Sequence, residues 1–436
     1  PEPIRKSHDT GGIPHPALTR RRGPVGVVPE LFNDARQQYL IGNVAEALRI
    51  LGRIFGQDGS WQGNGYSPAS CLREAALLRG WCLIESKDHE LCRQWLDTAR
   101  QLGYLDPEDR GATVLELNIL LFEEQYTLVQ DRTEELLTTS SGKPDLILAE
   151  LRLLLGASLR WQGQVAEAMD HVEYACMAFG FLQEPGREAV AANFLGWTHL
   201  TMGQLEEARR WFEKSLQINT GLGARLRLAQ NHQNLAIVCY KQGHYQQGID
   251  LLKKEIDLVG DQPDMMCRAQ IALGNVKRLQ GDYLAARSSL LEAYSLAAES
   301  GLAREEALAL EFLGDVFRDE GHPTEAMRYY QRGMKVAREL APRGDIVMEL
   351  LRREGECLDQ DGRHEEALHV LNDGLQLCRE VGDRFETAVT LRCLGINAAN
   401  LGRWKQAADH LRSALEGLTS LGARQEGVLA RRHLAE

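Results

Sequence analysis

The chain has 436 residues, a length that predicts about three domains at the usual size of about 150 residues each. A hydrophobic content of 44% with 26% charged residues describes a chain able to bury a core, outside the range of disordered sequences. The net charge of −12 opposes any sequence-wide attraction to nucleic acid or an anionic membrane, so neither is expected as a direct partner. No run approaches 18 apolar residues and no signal-like apolar stretch opens the chain, so neither a membrane span nor export is predicted. Nine cysteines without a CxxC pair, and no Asn-x-Ser/Thr sequon, fit buried thiols of a reducing, cytoplasmic compartment.

Residues 1–28 are proline-rich, carry the triple Arg20-Arg21-Arg22 and lack helical periodicity, so they read as a basic tail or linker. The chain opens on Pro1 and stops at Glu436 inside a helical pattern, which leads us to expect a piece of a longer protein with an attached effector domain. From residue 29 to 421 the dominant feature is self-similarity. Gly163, Gly203, Gly243, Gly281, Gly321, Gly362 and Gly402 recur at intervals of 38 to 41 residues. Five residues after each stands a small residue (Ala168, Ala208, Gly248, Ala286, Ala326, Ala367, Ala407), and seven before each stands another (Gly156, Gly196, Ala236, Gly274, Gly314, Gly355, Gly395). Small residues at these spacings let two helices approach closely across a tight turn, so each unit is predicted to be a helical hairpin with the central glycine in its turn.

The template extends backward with weaker letters. Gly42 with Ala47 fits, while Lys87 with Cys92 and Glu124 with Val129 occupy the turn positions without a glycine. Ten units result, with residues 422–436 beginning a further or capping helix. Phe55 to Pro68, rich in glycine and holding Trp61 and Tyr66, reads as an insertion after the first hairpin, a surface loop or a contact site. Gly223, Gly301, Gly382 and Gly422 stand where they can end second helices in left-handed caps. A hairpin of about 40 residues cannot bury its apolar stripe alone, so neighbours must stack into one elongated all-α solenoid instead of three domains.

The pattern of Leu195-Gly196, Gly203, Ala208 and Phe212, repeated over seven consecutive units, resembles the tetratricopeptide repeat in a variant of about 40 residues. It is similar to arrays in bacterial regulators of the maltose-activator type, peptide-pheromone receptors and animal spindle-orientation adaptors. The resemblance implies a right-handed superhelix whose first helices line a concave groove that binds peptides or protein segments. Leu273-Gly274-Asn275 matches the Leu-Gly-Asn of the adaptor repeats, where the resemblance implies an Asn that reaches a ligand backbone.

Other motifs resolve to structural readings. His364 and His369 in His-Glu-Glu-Ala-Leu-His are five apart, on different helix faces, and cannot share a metal. Ser141-Gly142-Lys143 lacks the earlier glycine and strand of a phosphate loop. No nucleophile, base and acid can be grouped by spacing, so no catalysis, metal or cofactor is expected.

The groove positions lie ten, six and three residues before each turn glycine, one helix face at i, i+4, i+7. They give Asn193 and Trp197, then Gln233 and Tyr240, then Asn275 and Arg278, with Lys241 and Arg268 adding positive charge; Glu311 and Asp315 then begin an acidic patch continued by Glu356 and Asp359. Aromatic, amide and Arg groups on a concave face suit recognition of an extended or helical peptide. The sequence therefore reads as a non-catalytic, protein- or peptide-binding scaffold or sensor within a larger bacterial regulatory protein. The alternatives are the regulatory arm of an enzyme such as a caspase-like protease or ATPase, and a receptor for small signalling peptides.

Overall fold

The computed structural model describes residues 27–62, 69–138, 145–162, 164–260, 262–421 and 423–435. Twenty-one helices, and no strand among the described residues, follow one another in antiparallel hairpins. The first three hairpins are α1 (Val27–Leu40) with α2 (Val44–Ile54), α3 (Ala69–Glu85) with α4 (His89–Gln101), and α5 (Arg110–Phe122) with α6 (Tyr126–Thr138). Next come α7 (Leu146–Trp161) with α8 (Val165–Phe181), α9 (Pro185–Thr201) with α10 (Leu205–Leu222), and α11 (Arg225–Lys241) with α12 (Tyr245–Val259). Then follow α13 (Pro263–Gln280) with α14 (Tyr283–Ser300), α15 (Ala303–Asp319) with α16 (Pro323–Leu340), α17 (Asp345–Gln360) with α18 (His364–Val381), and α19 (Arg384–Asn400) with α20 (Trp404–Ser420). A last helix, α21 (Arg424–Ala435), packs on α20 and buries Ala430. The ten hairpins turn at the positions that the glycine period marks, and stack into the α-solenoid.

The close approach predicted within each hairpin has a consistent geometry. In six hairpins the glycine seven before the turn lies directly under the larger residue nine after it. A Cβ built on Gly314 would stand 2.3 Å from the Tyr330 ring, one on Gly196 2.5 Å from Phe212, and one on Gly395 2.6 Å from Leu411. Ala208 and Ala326, at the facing positions of the second helices, are fully buried. Tyr330 illustrates the consequence: its ring fills the groove over Gly314, and its hydroxyl donates to Asp315 at 2.8 Å, tying hairpin packing to the first helix's polar face.

The described turn glycines adopt the left-handed conformation, with φ of +87° at Gly281 and +83° at Gly321. Where glycine is missing, Lys87 and Glu124 take the same conformation, at φ +61° and +60°. The two degenerate units are thus intact hairpins that carry backbone strain. Gly223, Gly301 and Gly382 end α10, α14 and α18 in left-handed caps, while Gly163 and Gly422 lie outside the described residues. The described part of the insertion folds back: Phe55 is fully buried against Trp95 and Tyr104, and pairs with Trp61 in an isolated bridge. The Ser141 to Lys143 segment, Gly63, Gly65, Tyr66 and the 1–26 part of the tail lie outside the described residues.

Two predictions follow from the packing. Gly314→Ala and Ala208→Leu each overpack a closed helix contact and lower stability by roughly 1–3 kcal/mol, read as a lower urea midpoint at unchanged slope. Lys87→Gly and Glu124→Gly relieve a left-handed residue whose cost of roughly 1–2 kcal/mol exceeds the entropy that glycine adds, so the midpoint rises.

Candidate functional site

From unit four onward the small residue seven before the turn points its helix face at the partner helix. The positions ten, six and three before the turn therefore face along the stacked first helices, and a seam joins each first helix to the next. The residue nine before the turn makes that seam. Phe194 lies under the Arg160 guanidinium of the preceding unit, 5.2 Å from ring centroid to charge. Asn234 donates to Asn193 at 2.6 Å, Arg353 reaches back to Glu311 at 2.8 Å and Asp315 at 3.1 Å, and the Cys393 thiol donates to Glu356 at 2.9 Å.

From unit seven onward the seam is a ladder of charges. Arg278 pairs with Asp319, Arg304 with Asp345 at 2.6 Å, Arg318 with Glu356 at 3.3 Å, and Arg352 with Glu386 at 2.5 Å. Asp359 accepts from Asn397 at 2.6 Å and Asn400 at 2.7 Å, and from His364 at 2.6 Å, which places that histidine in a helix-start contact. Among the described residues no group of His, Cys, Asp and Glu has the arrangement of a metal site.

The structure brings some of the sequence-derived groove residues together and separates others. Asn193, Trp197, Gln233 and Tyr240 are partly buried on adjacent first helices, with Trp197 edge-on to Phe212 at 6.0 Å. Burial pushes the Tyr240 phenol up, against the opposing charge of Arg278. Asn275 and Arg278 form a local pair, the guanidinium donating to the Asn carbonyl at 2.9 Å. Arg268 pairs with Asp264 on its own helix at 2.6 Å. Lys241 reaches solvent but is ringed by protein: desolvation holds its ammonium below the ordinary range, against the attraction of Glu426.

Glu311 and Asp315 do not form an open acidic patch. They are 0% and 2% exposed, covered by Arg353, Arg318 and Tyr330. Burial disfavours the Asp315 carboxylate, but Arg353, Arg318 and Arg278 outweigh it and hold the group at about 2. Glu356 is likewise held at about 2, burial being outweighed by Arg352, Arg318 and the Cys393 bond. Glu311, in the same network, is pushed well above the carboxylate range by burial.

The first turn of the superhelix touches the second. Arg227 on α11 grips both oxygens of Glu85 on α3, at 2.9 and 3.0 Å, and Arg36 on α1 reaches Glu184 at 3.1 Å. Arg187 stacks on the Trp81 ring at 3.6 Å while pairing with Glu150 at 2.9 Å. Farther along, Arg384 donates to the Gln162 carbonyl at 3.3 Å. Successive coils of the superhelix therefore touch, about five units apart. Glu85, Arg187 and Arg227 do not stand at positions the groove reading uses; Trp81 is six before the Lys87 turn, in a unit to which that reading was not applied.

Two pH dependences follow. Asp315 and Glu356 have depressed carboxyl values, so the stability they contribute is full above about pH 4 and falls away as the pH drops toward 2; Asp315→Asn flattens that acid limb in denaturant titrations across pH. Glu255, buried beside Arg268 where most units carry Ala, Gly or Ser, is pushed up to about 8 by desolvation. Its sign is opposite: the folded state loses stability as pH rises from about 4.5 to 8. Glu255→Gln accordingly stabilises by roughly 1–3 kcal/mol more at pH 7 than at pH 5.

The sequence profile of the tetratricopeptide repeat matches residues 187–259, 265–339 and 347–420. No curated protein matches the chain by sequence. Among solved structures, a Rap protein complexed with competence and sporulation factor superposes with a TM-score of 0.60 at 16% identity, over 82% of this chain and 100% of that one. The apo form of the quorum sensor NprR from B. thuringiensis gives 0.59 at 12% identity, over 90% of this chain and 98% of that one. Aspartyl phosphate phosphatase F from Bacillus subtilis gives 0.53 at 14% identity, over 83% and 97%. At these identities the likeness is one of fold. The glycine-marked hairpins, their stacking into a solenoid and the profile match over half of the chain together establish that the chain belongs to the tetratricopeptide repeat family.

Proposed function

We propose that this chain is a non-catalytic module that binds a peptide or protein segment on its concave face, as the sensor or scaffold part of a larger regulatory protein. The observation that carries this reading is the face of the stacked first helices. It presents partly buried amide and aromatic groups at Asn193, Trp197, Gln233, Tyr240 and Asn275, with the cations Lys241 and Arg278 beside them. A polar face of this kind offers partners to the backbone amides of an extended segment. One observation favours a more specific form, the receptor for small signalling peptides: two structures that share the fold along most of their length are a Rap protein holding competence and sporulation factor and the quorum sensor NprR.

The test is selection of a displayed library of random ten-residue peptides on the purified chain, followed by titration calorimetry of synthetic winners. Trp197→Ala and Arg278→Ala each weaken binding about thirtyfold, as expected for loss of an anchor worth about 2 kcal/mol. Lys241→Ala weakens it as well, while Glu206→Ala at the start of α10 leaves it unchanged. Unfolding midpoints measured alongside separate lost contacts from lost folding. Winners indifferent to the variants at Trp197, Arg278 and Lys241 but abolished by Trp61→Ala would place binding at the insertion.

A further inference from the structure

In units four to ten, unit nine excepted, the residue eight before the turn is a leucine of the core: Leu155, Leu195, Leu235, Leu273, Leu313 and Leu394 are each 6% exposed or less. Unit nine has Glu354 there, before Gly355. A Cβ on Gly355 would stand 2.5 Å from Leu371, so this hairpin closes in the same register and Glu354 occupies the leucine's place. It is partly buried, and lines an open cleft of about 540 Å³ between α16 and α17. That volume lies within the range of small-molecule sites, about 300–1,000 Å³. Gln331, Met334, Lys335, Arg338 and Glu339 of α16 form the rest of the wall.

The cleft holds charge of both signs that the fold leaves without contacts. Among the described residues no hydrogen bond or ion pair reaches the side chains of Glu354, Lys335, Arg338 or Glu339. Burial pushes the Glu354 carboxyl up, and the attraction of Arg338 offsets only part of that. A carboxylate set where the other units place leucine costs stability until something meets it. The cations Lys335 and Arg338 stand exposed at the rim, and Met334 gives the wall an adaptable apolar surface. Two residues along a helix turn it by about 200°, so Glu354 points away from Arg352 and Glu356 of the first-helix seam. The cleft therefore lies on the far side of α17 from the concave face.

We propose that this cleft is a second ligand site and takes a small zwitterion, an α-amino acid or a dipeptide with free ends, its ammonium on Glu354 and its carboxylate between Lys335 and Arg338. The two signs argue for it together. A simple cation would face Lys335 and Arg338, and a simple anion would meet Glu354, whereas a zwitterion answers both and keeps the site neutral. The site is separate from the concave face and does not rest on the peptide-binding reading.

The experiment measures the thermal unfolding midpoint of the purified chain with each proteinogenic amino acid in turn and with a dipeptide library, member by member, at millimolar concentration. Compounds that raise the midpoint go on to titration calorimetry. At least one is expected to bind, and whether it is an amino acid or a dipeptide identifies the source of the zwitterion. Glu354→Gln and Arg338→Ala should each weaken it about tenfold, the loss of one charged hydrogen bond. N-acetylation and C-terminal amidation of the ligand should each abolish binding. Glu354→Leu separates the site from the fold: by restoring the core residue it is expected to raise the midpoint of the unliganded chain while abolishing binding. The proposal is overturned if no compound moves the midpoint, if a blocked ligand binds as well as the free one, or if binding is the same in Glu354→Gln as in the wild type. A Glu354→Leu chain that is less stable than the wild type overturns it as well, since the leucine's place would then not be open.

Discussion

Two helices can lie in full contact only where a side chain on one of them gives way, and in this chain that concession is made at a fixed place. From unit four onward the residue seven before the turn is Gly or Ala, and the residue nine after it is a larger one: Gly314 beneath Tyr330, Gly196 beneath Phe212, Gly355 beneath Leu371. This pairing sets how far apart and at what rotation the two helices of a hairpin sit. Repeated, it sets the step from one hairpin to the next, because each hairpin buries its remaining apolar stripe on its neighbour. The curve of the concave face is therefore decided by contacts that never touch it.

The polar seam along the first helices has a different part. Apolar residues of similar volume would stabilise such positions as well or better, since desolvating paired charges takes back most of what their attraction supplies. A charge pair is directional, however, and Arg353 between Glu311, Asp315 and Glu349 fixes the rotation of α17 against α15 in a way that leucines would not. The seam takes up Glu311, Asp315, Glu349, Glu356 and Glu386 of units eight to ten.

The repeat was legible because glycine and alanine are confined to it by geometry, and their intervals survive any change in the other letters. Even Lys87 and Glu124 could be placed from the period alone, and the backbone there turns as at the glycines. The concave face was less legible. Reading only the positions ten, six and three before the turn found Asn193 and Asn275 but passed over position nine, where Asn234, Arg353 and Cys393 form the seam. That omission is why Glu311 and Asp315 read as surface acids: nothing local to α15 announces an arginine supplied from the next unit. Glu85, Trp81, Arg187 and Arg227 were out of reach for a further reason. They meet because the superhelix returns on itself after about five units, a property of the accumulated pitch that no single repeat encodes.

That return gives the molecule an unusual mechanics. A solenoid with open coils is a spring that yields equally to stretching and squeezing. Here the coils already touch, with Leu40 close to Gly186, so the spring is seated at its closed length and resists further compression by steric contact. Extension meets the stack of Arg187 on Trp81 and a few polar cross-coil attachments, Arg227 to Glu85, Arg36 to Glu184 and Arg384 to the Gln162 carbonyl, these last partly open to water and hence weakened by salt. Its elasticity is one-sided, and ionic strength acts on the soft direction alone.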